Sequence, residues 1–237
     1  MHRSRVLIII PAYNEEASIA KTLTPILKSG YDYIVINDGS TDRTKEILDK
    51  NNFNHIDLIS NLGIGGAVQT GYKYAYDNNY DIAIQFDADG QHDVTYLRSL
   101  IKPIENHQAD LVIGSCFIKK NSSSSLRSSK IRRFGIRFLS NFIYLFSGKR
   151  IYDATSGFRA VNSKIIQYFA NNYPLEYPEP ISNFELLRKK NITIKEIPVI
   201  MKKRQGGKSS ITPSKTSYAA FNVLLSILIL SLRRKND

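Results

Sequence analysis

Two carboxylates one residue apart, Asp87 and Asp89, follow the run Ile82-Ala83-Ile84-Gln85-Phe86. The branched residues through Ile84 predict a strand, and the Asp and Gly of Asp89-Gly90 end it. On one short loop, both side chains can face a single site. Hard oxygen donors suit Mg²⁺ or Mn²⁺, and the Gln91 amide is a candidate third donor. A cation held there can neutralise a substrate diphosphate and stabilise it as a leaving group. Taken alone, a solvated Asp-Gly turn accounts for the same residues. An EF-hand is excluded, because the third oxygen donor before the Gly and the closing Glu are missing. His92 follows the loop and suits a structural or metal-adjacent role better than base catalysis.

Other chemistry-bearing residues also stand where strands should end. Residues 6–10 form a continuous apolar run, the pattern of a strand buried on both faces. After it, Asn14 can cap the next helix, with Glu15 and Glu16 in the first turn. Tyr13 is left at a strand's C-terminal end, where open α/β sheets bind ligands. A second strand over 33–37 runs into Asp38-Gly39-Ser40-Thr41-Asp42. A turn with a cap explains Asp38, and so does a carboxylate that accepts a ring N–H of a nucleotide base. A third strand over 56–60 precedes Asn61-Leu62-Gly63-Ile64-Gly65-Gly66, which opens a helix through about residue 77. Glycines such as Gly65 let backbone approach a ligand, and a helix N-terminus favours phosphate. Neither the dinucleotide fingerprint nor a P-loop fits this spacing. A fourth strand over 82–86, a helix from about Val94 and a fifth strand from Leu111 complete the alternation. The expected fold is α/β, a doubly wound and mostly parallel sheet. Asn14, Asp38, Asn61, Asp87 and Asp89 should then converge at the carboxyl ends of its strands.

The bulk numbers frame this core. A chain of 237 residues has room for one sizeable domain plus an appendage. The single Cys116 excludes an intrachain disulfide and suits a reducing compartment. The N-terminus reaches an apolar strand within five residues and carries no signal-peptide pattern. Net charge is +12 and unevenly placed. Residues 1–110 hold 10 Lys/Arg against 15 Asp/Glu, and residues 111–237 hold 23 against 6. That segregation predicts an anionic partner for the second half.

The second half supplies candidates for meeting it. Residues 130–146 read as a basic amphipathic helix, with Arg132, Arg133 and Arg137 beside Phe134, Phe138 and Phe142. Such a helix packs on the sheet or lies at a membrane surface. Arg159, after Ser156-Gly157-Phe158, is a fork-shaped phosphate donor or one arm of a surface salt bridge. Tyr177-Pro178-Glu179-Pro180 is expected to hold Glu179 in a stiff extended segment, and a strand is expected over 192–197. Residues 202–210, rich in Lys, Arg and Gly, read as an anion-binding loop. Residues 218–232 carry no charge but are too few to span a bilayer. They either pack on the domain or sit in the membrane interface.

The ordered motifs resemble family 2 glycosyltransferases of the dolichyl-phosphate-mannose-synthase-like type over about residues 5–215. They are Pro11-Ala12-Tyr13-Asn14-Glu15, Asn37 through Asp42, Asn61-Leu62-Gly63, Asp87 through His92, Ser156-Gly157-Phe158-Arg159 and Arg204 through Ser209. The Tyr-Pro-Glu-Pro stretch is most similar to a short bacterial subgroup without transmembrane spans. The resemblance implies a GT-A fold over residues 1–215, with a nucleotide-sugar half at 1–115 and an acceptor half at 116–215. Residues 216–237 would form a membrane-associating helix. It implies Mg²⁺ or Mn²⁺ on Asp87 and Asp89 with Gln91 beside them, and a nucleotide lined by Pro11, Tyr13, Glu15, Asp38, Gly65 and Asp87. Arg159, Arg204 and Lys208 would contact donor or acceptor phosphates. Ser210 stands where the family's motif ends in Lys.

The expected activity is inverting transfer of a hexosyl or N-acetylhexosaminyl group from a nucleoside-diphosphate sugar to a polyprenyl phosphate such as undecaprenyl phosphate. It would occur at the cytoplasmic membrane face and feed cell-surface glycan synthesis. The partners expected are the two substrates and an anionic membrane surface, with a small membrane protein or a second copy of the chain as further candidates. The alternative acceptor is a sugar hydroxyl on a growing polysaccharide. That chemistry needs a base, and Glu179 is the candidate. A nucleic-acid-binding protein leaves the aspartate loop unexplained, so no nucleic acid is expected.

Overall fold

The computed structural model describes residues 4–118, 130–202 and 213–233. The strands are β1 (Val6–Ala12), β2 (Asp32–Asn37), β3 (His55–Asp57), β4 (Ile82–Gln85), β5 (Leu111–Ser115), β6 (Arg159–Asn162) and β7 (Ile194–Pro198). The helices are α1 (Ile19–Ser29), α2 (Thr44–Lys50), α3 (Gly63–Asp77), α4 (Leu97–Glu105), α5 (Lys130–Ser147), α6 (Ser163–Asn171), α7 (Pro178–Arg188) and α8 (Pro213–Leu232). Seven strands form one sheet in the order β3-β2-β1-β4-β6-β5-β7. All neighbours are parallel except β6, which runs antiparallel to both β4 and β5.

The continuous apolar run of β1 does what such a run must: all seven residues are buried. Leu7 and Ile9 face a core shared with α3, α6 and α7, while Val6, Ile8 and Ile10 face one shared with α1 and α4. The doubly wound sheet expected from the alternation is therefore present. On the first of these faces α8 buries Val223 and Ile227 against the domain. No described helix is long and apolar enough to cross a membrane.

Several local expectations change. The third strand stops at Asp57 rather than Ser60, because β2 offers partners only through Asn37 and Ile59 points fully into solvent. Asn14 does not cap α1, whose N-cap is Ser18. The Tyr177-Pro178-Glu179-Pro180 stretch is not extended. Tyr177, at φ 47°, turns the chain and Pro178 opens α7, a position where the missing N–H costs nothing. Arg159 is the first residue of β6.

Candidate active site

The ends of β1, β2 and β3 are tied to one another by the residues that follow them. Asn14 sits at φ 55°, and its Oδ1 accepts the N–H groups of Thr41 at 2.8 Å and Asp42 at 3.3 Å. Its own N–H donates to Ser40 Oγ at 3.0 Å. The Glu15 N–H donates to Thr44 Oγ1 at 2.8 Å, and its buried carboxylate accepts the Ser18 hydroxyl at 2.5 Å. Pro11 is buried within β1, and Tyr13 is exposed at its end. Asp38 is buried, and its Oδ1 accepts the N–H of Leu62 at 2.7 Å. Burial raises its pKa, against the N–H groups of Leu62 and Gly63, which lower it. Three loops after three strands are thus joined into one wall.

Gly65 lies at the start of α3, but a ligand does not occupy the space its missing side chain leaves. A Cβ there would stand 2.2 Å from the Leu175 carbonyl oxygen and 2.3 Å from that of Pro174. The close approach it permits is that of the chain entering α7.

The loop after β4 carries the paired carboxylates. Asp89 is 7% exposed, and its Oδ1 accepts the Gln91 N–H at 3.0 Å. The Ala88 carbonyl accepts Thr22 Oγ1 from α1 at 2.9 Å. Gln91 leans the other way: its Nε2 lies 3.5 Å from the Lys202 carbonyl oxygen, and its own carbonyl accepts the Lys202 N–H at 2.8 Å. Lys202 Nζ pairs with Asp93 at 2.8 Å. Residue 202 is therefore pinned to the loop; Arg204 and Lys208 lie outside the described residues. Among the described residues no cluster of three or more His, Cys, Asp or Glu side chains gathers. Two carboxylates still fit Mg²⁺ or Mn²⁺, which are commonly held by one or two carboxylates plus substrate phosphates.

Beneath this loop lies a buried polar floor. Arg159 is 0% exposed, so in this structure it presents no surface to a phosphate. Its Nε donates to Gln85 Oε1 at 3.2 Å, and its Nη1 to Ser182 Oγ at 3.0 Å and Asn183 Oδ1 at 3.4 Å. Its Nη2 donates to the Tyr173 hydroxyl. The guanidinium also lies over the rings of Phe169 and Tyr173. Burial opposes its charge, but Tyr173, Tyr72 and Glu179 outweigh that and raise its pKa. Gln85 Nε2 donates in turn to Glu179 Oε1 at 3.1 Å. A Cβ on Gly157 would stand 3.0 Å from Gln85 Nε2 and 3.2 Å from Asp87 Oδ1, so Gly157 lets these groups share one site. Gln85, Tyr173, Ser182 and Asn183 are given no role by the sequence, and Lys202 enters only as the first residue of the basic loop. Gln85 did carry a signal, as the one amide in an otherwise apolar strand.

The model of glycosyl transferase family 2 matches residues 7–169. The UDP-N-acetylglucosamine–dolichyl-phosphate N-acetylglucosaminyltransferase of Methanococcus voltae is 33% identical over 213 residues, covering 82% of this chain and 84% of the relative. The undecaprenyl-phosphate mannosyltransferase of Micrococcus luteus is 26% identical over 232 residues, covering 92% of each. Among solved structures, glucosyl-3-phosphoglycerate synthase from Mycobacterium tuberculosis, in complex with Mn²⁺, UDP and phosphoglyceric acid, superposes with a TM-score of 0.67. It is 16% identical, and the match covers 98% of this chain and 80% of that one. The α/β architecture expected from the sequence is thus shared with this solved structure.

Proposed function

This chain belongs to glycosyl transferase family 2, and on that premise we propose that it moves a sugar from a nucleoside diphosphate to a polyprenyl phosphate with inversion. The observation that carries this reading is the placement of Asp38 just after β2 and of Asp87 and Asp89 just after β4, at the carboxyl ends of parallel strands on either side of β1. Two relatives are named as transferases acting on dolichyl and undecaprenyl phosphates, which supports the same acceptor class here.

In this reading Asp38 accepts a ring N–H of the base and Tyr13 covers it. Pro11 and Glu15 shape the turn beneath. Asp87 and Asp89 hold Mg²⁺ or Mn²⁺, which would neutralise the departing diphosphate. The acceptor phosphate is already anionic at neutral pH. Its oxygen attacks the anomeric carbon from the face opposite the diphosphate; the new C–O bond forms as the bond to the diphosphate breaks, and no proton moves. Arg204 and Lys208 are proposed to meet the phosphates, since residue 202 is anchored beside Gln91.

The acceptor's lipid needs a surface to lie against. α5 and α8 expose Phe134, Phe138, Leu145, Phe221, Leu225 and Leu232, with Arg133 and Arg137 exposed beside them. An apolar face with basic residues suits an anionic bilayer, which supports a peripheral place on the inner face of the cell membrane.

Wild-type protein mixed with polyprenyl phosphate in anionic vesicles, Mn²⁺ and a panel of UDP- and GDP-sugars is expected to build a glycolipid. No product with any donor would overturn the reading. The second acceptor class is kept because Glu179 lies against Gln85 beside the Asp87 loop, within the site. If a sugar hydroxyl is the acceptor, Glu179→Gln should lower turnover by at least about 100-fold with donor binding intact. A phosphate acceptor predicts a loss of less than about tenfold.

A further inference from the structure

The carboxylate loop is braced by a single imidazole that no step above uses. His92 Nδ1 accepts the N–H of Asp87 at 3.0 Å, and its Nε2 lies 3.5 Å from Oδ2 of the same residue. A ring nitrogen that accepts carries no proton, so the proton resides on Nε2 and faces the carboxylate. The ring cannot turn away. It stacks on Phe158 at 4.5 Å and 16°, meets the edge of Phe86 at 5.3 Å, and has a side chain only 2% exposed. From another side Gly157 lies close to the same carboxylate: a Cβ there would stand 3.2 Å from Oδ1 and 3.3 Å from Oδ2. The main chain of Asp87 is therefore held by one rigid, dry group, whose other nitrogen stands 3.5 Å from the carboxylate.

We propose that His92 is a positioning residue that fixes Asp87 in the orientation needed to bind the divalent cation. Its two nitrogens would then set metal affinity, while the packing of its flat ring serves the fold. The proposal rests on the reading of Asp87 as a metal ligand. Metal ligands are commonly oriented by a second ring of hydrogen bonds, and losing one such partner typically costs about 10- to 100-fold in metal affinity.

The test needs no turnover. Mn²⁺ binding is measured by electron paramagnetic resonance in the presence of UDP and, in parallel, GDP. Two variants are compared with wild type. His92→Phe keeps a flat ring against Phe158 and loses both nitrogens; His92→Asn keeps an acceptor for the Asp87 N–H. The expected result is Mn²⁺ binding weakened about 10- to 100-fold in His92→Phe and by less in His92→Asn. Both should melt cooperatively, and nucleotide binding in a chelator should stay within about twofold of wild type. Mn²⁺ affinity within about twofold of wild type in His92→Phe would overturn the proposal, as would a matching loss of metal-free nucleotide binding. Unfolding of both variants would also overturn it, because the nitrogens would then serve the fold. Wild-type protein that binds no Mn²⁺ with either nucleotide would instead sink the metal reading of Asp87 itself.

Discussion

Asp89→Asn is expected to cut sugar transfer by at least about 100-fold at saturating donor and metal. The substitution exchanges one carboxylate oxygen for an amide nitrogen and removes a negative charge from the loop. The remaining oxygen can still accept the Gln91 N–H, the contact that Asp89 Oδ1 makes at 3.0 Å. The fold should therefore survive, with a thermal midpoint close to wild type. What is lost is a ligand for the cation and, with it, stabilisation of charge on the departing diphosphate. Initial rates alongside a melting curve separate the two effects. Retained transfer in a folded variant would refute the assignment of Asp89.

Arg159→Leu should act in the opposite way, through stability first. The change empties the middle of the buried floor and strips bonds from Gln85, Tyr173, Ser182 and Asn183. Buried polar groups left without partners cost about 1–3 kcal/mol each. A total loss of about 3 kcal/mol or more is expected in urea denaturation, less than the sum because the groups can partly re-pair. A residue that gripped a substrate phosphate would behave differently. It would leave the denaturation midpoint in place and raise the KM for donor or acceptor. That pattern would restore the phosphate role expected from sequence.

The contrast between these two residues shows what the chain discloses locally. Asp87 and Asp89 follow a short apolar strand and are separated by one residue, so their loop is written within a few positions. The run through β1 and the turn residues after β1, β2 and β4 are local in the same sense. Arg159 is not. Its partners lie 74, 14, 23 and 24 positions away at Gln85, Tyr173, Ser182 and Asn183. Nothing adjacent to it distinguishes a buried guanidinium from an exposed one. β6 escaped notice because it is four residues long and enters the sheet antiparallel between β4 and β5. α7 was hidden by its two prolines and by burial of Ser182, Asn183, Phe184, Leu186 and Leu187 together, which leaves little one-sided periodicity to read. Gly65 was legible as a close-approach residue, but its neighbour at Pro174 and Leu175 was not.

The proposed activity depends on a cation that Asp87 and Asp89 would hold at the diphosphate. Its most direct test is to chelate divalent metal in a working assay of glycolipid formation and then restore Mn²⁺. Transfer should fall by at least about 100-fold in the chelator and return with the metal. Turnover that continues unchanged without divalent metal would contradict it.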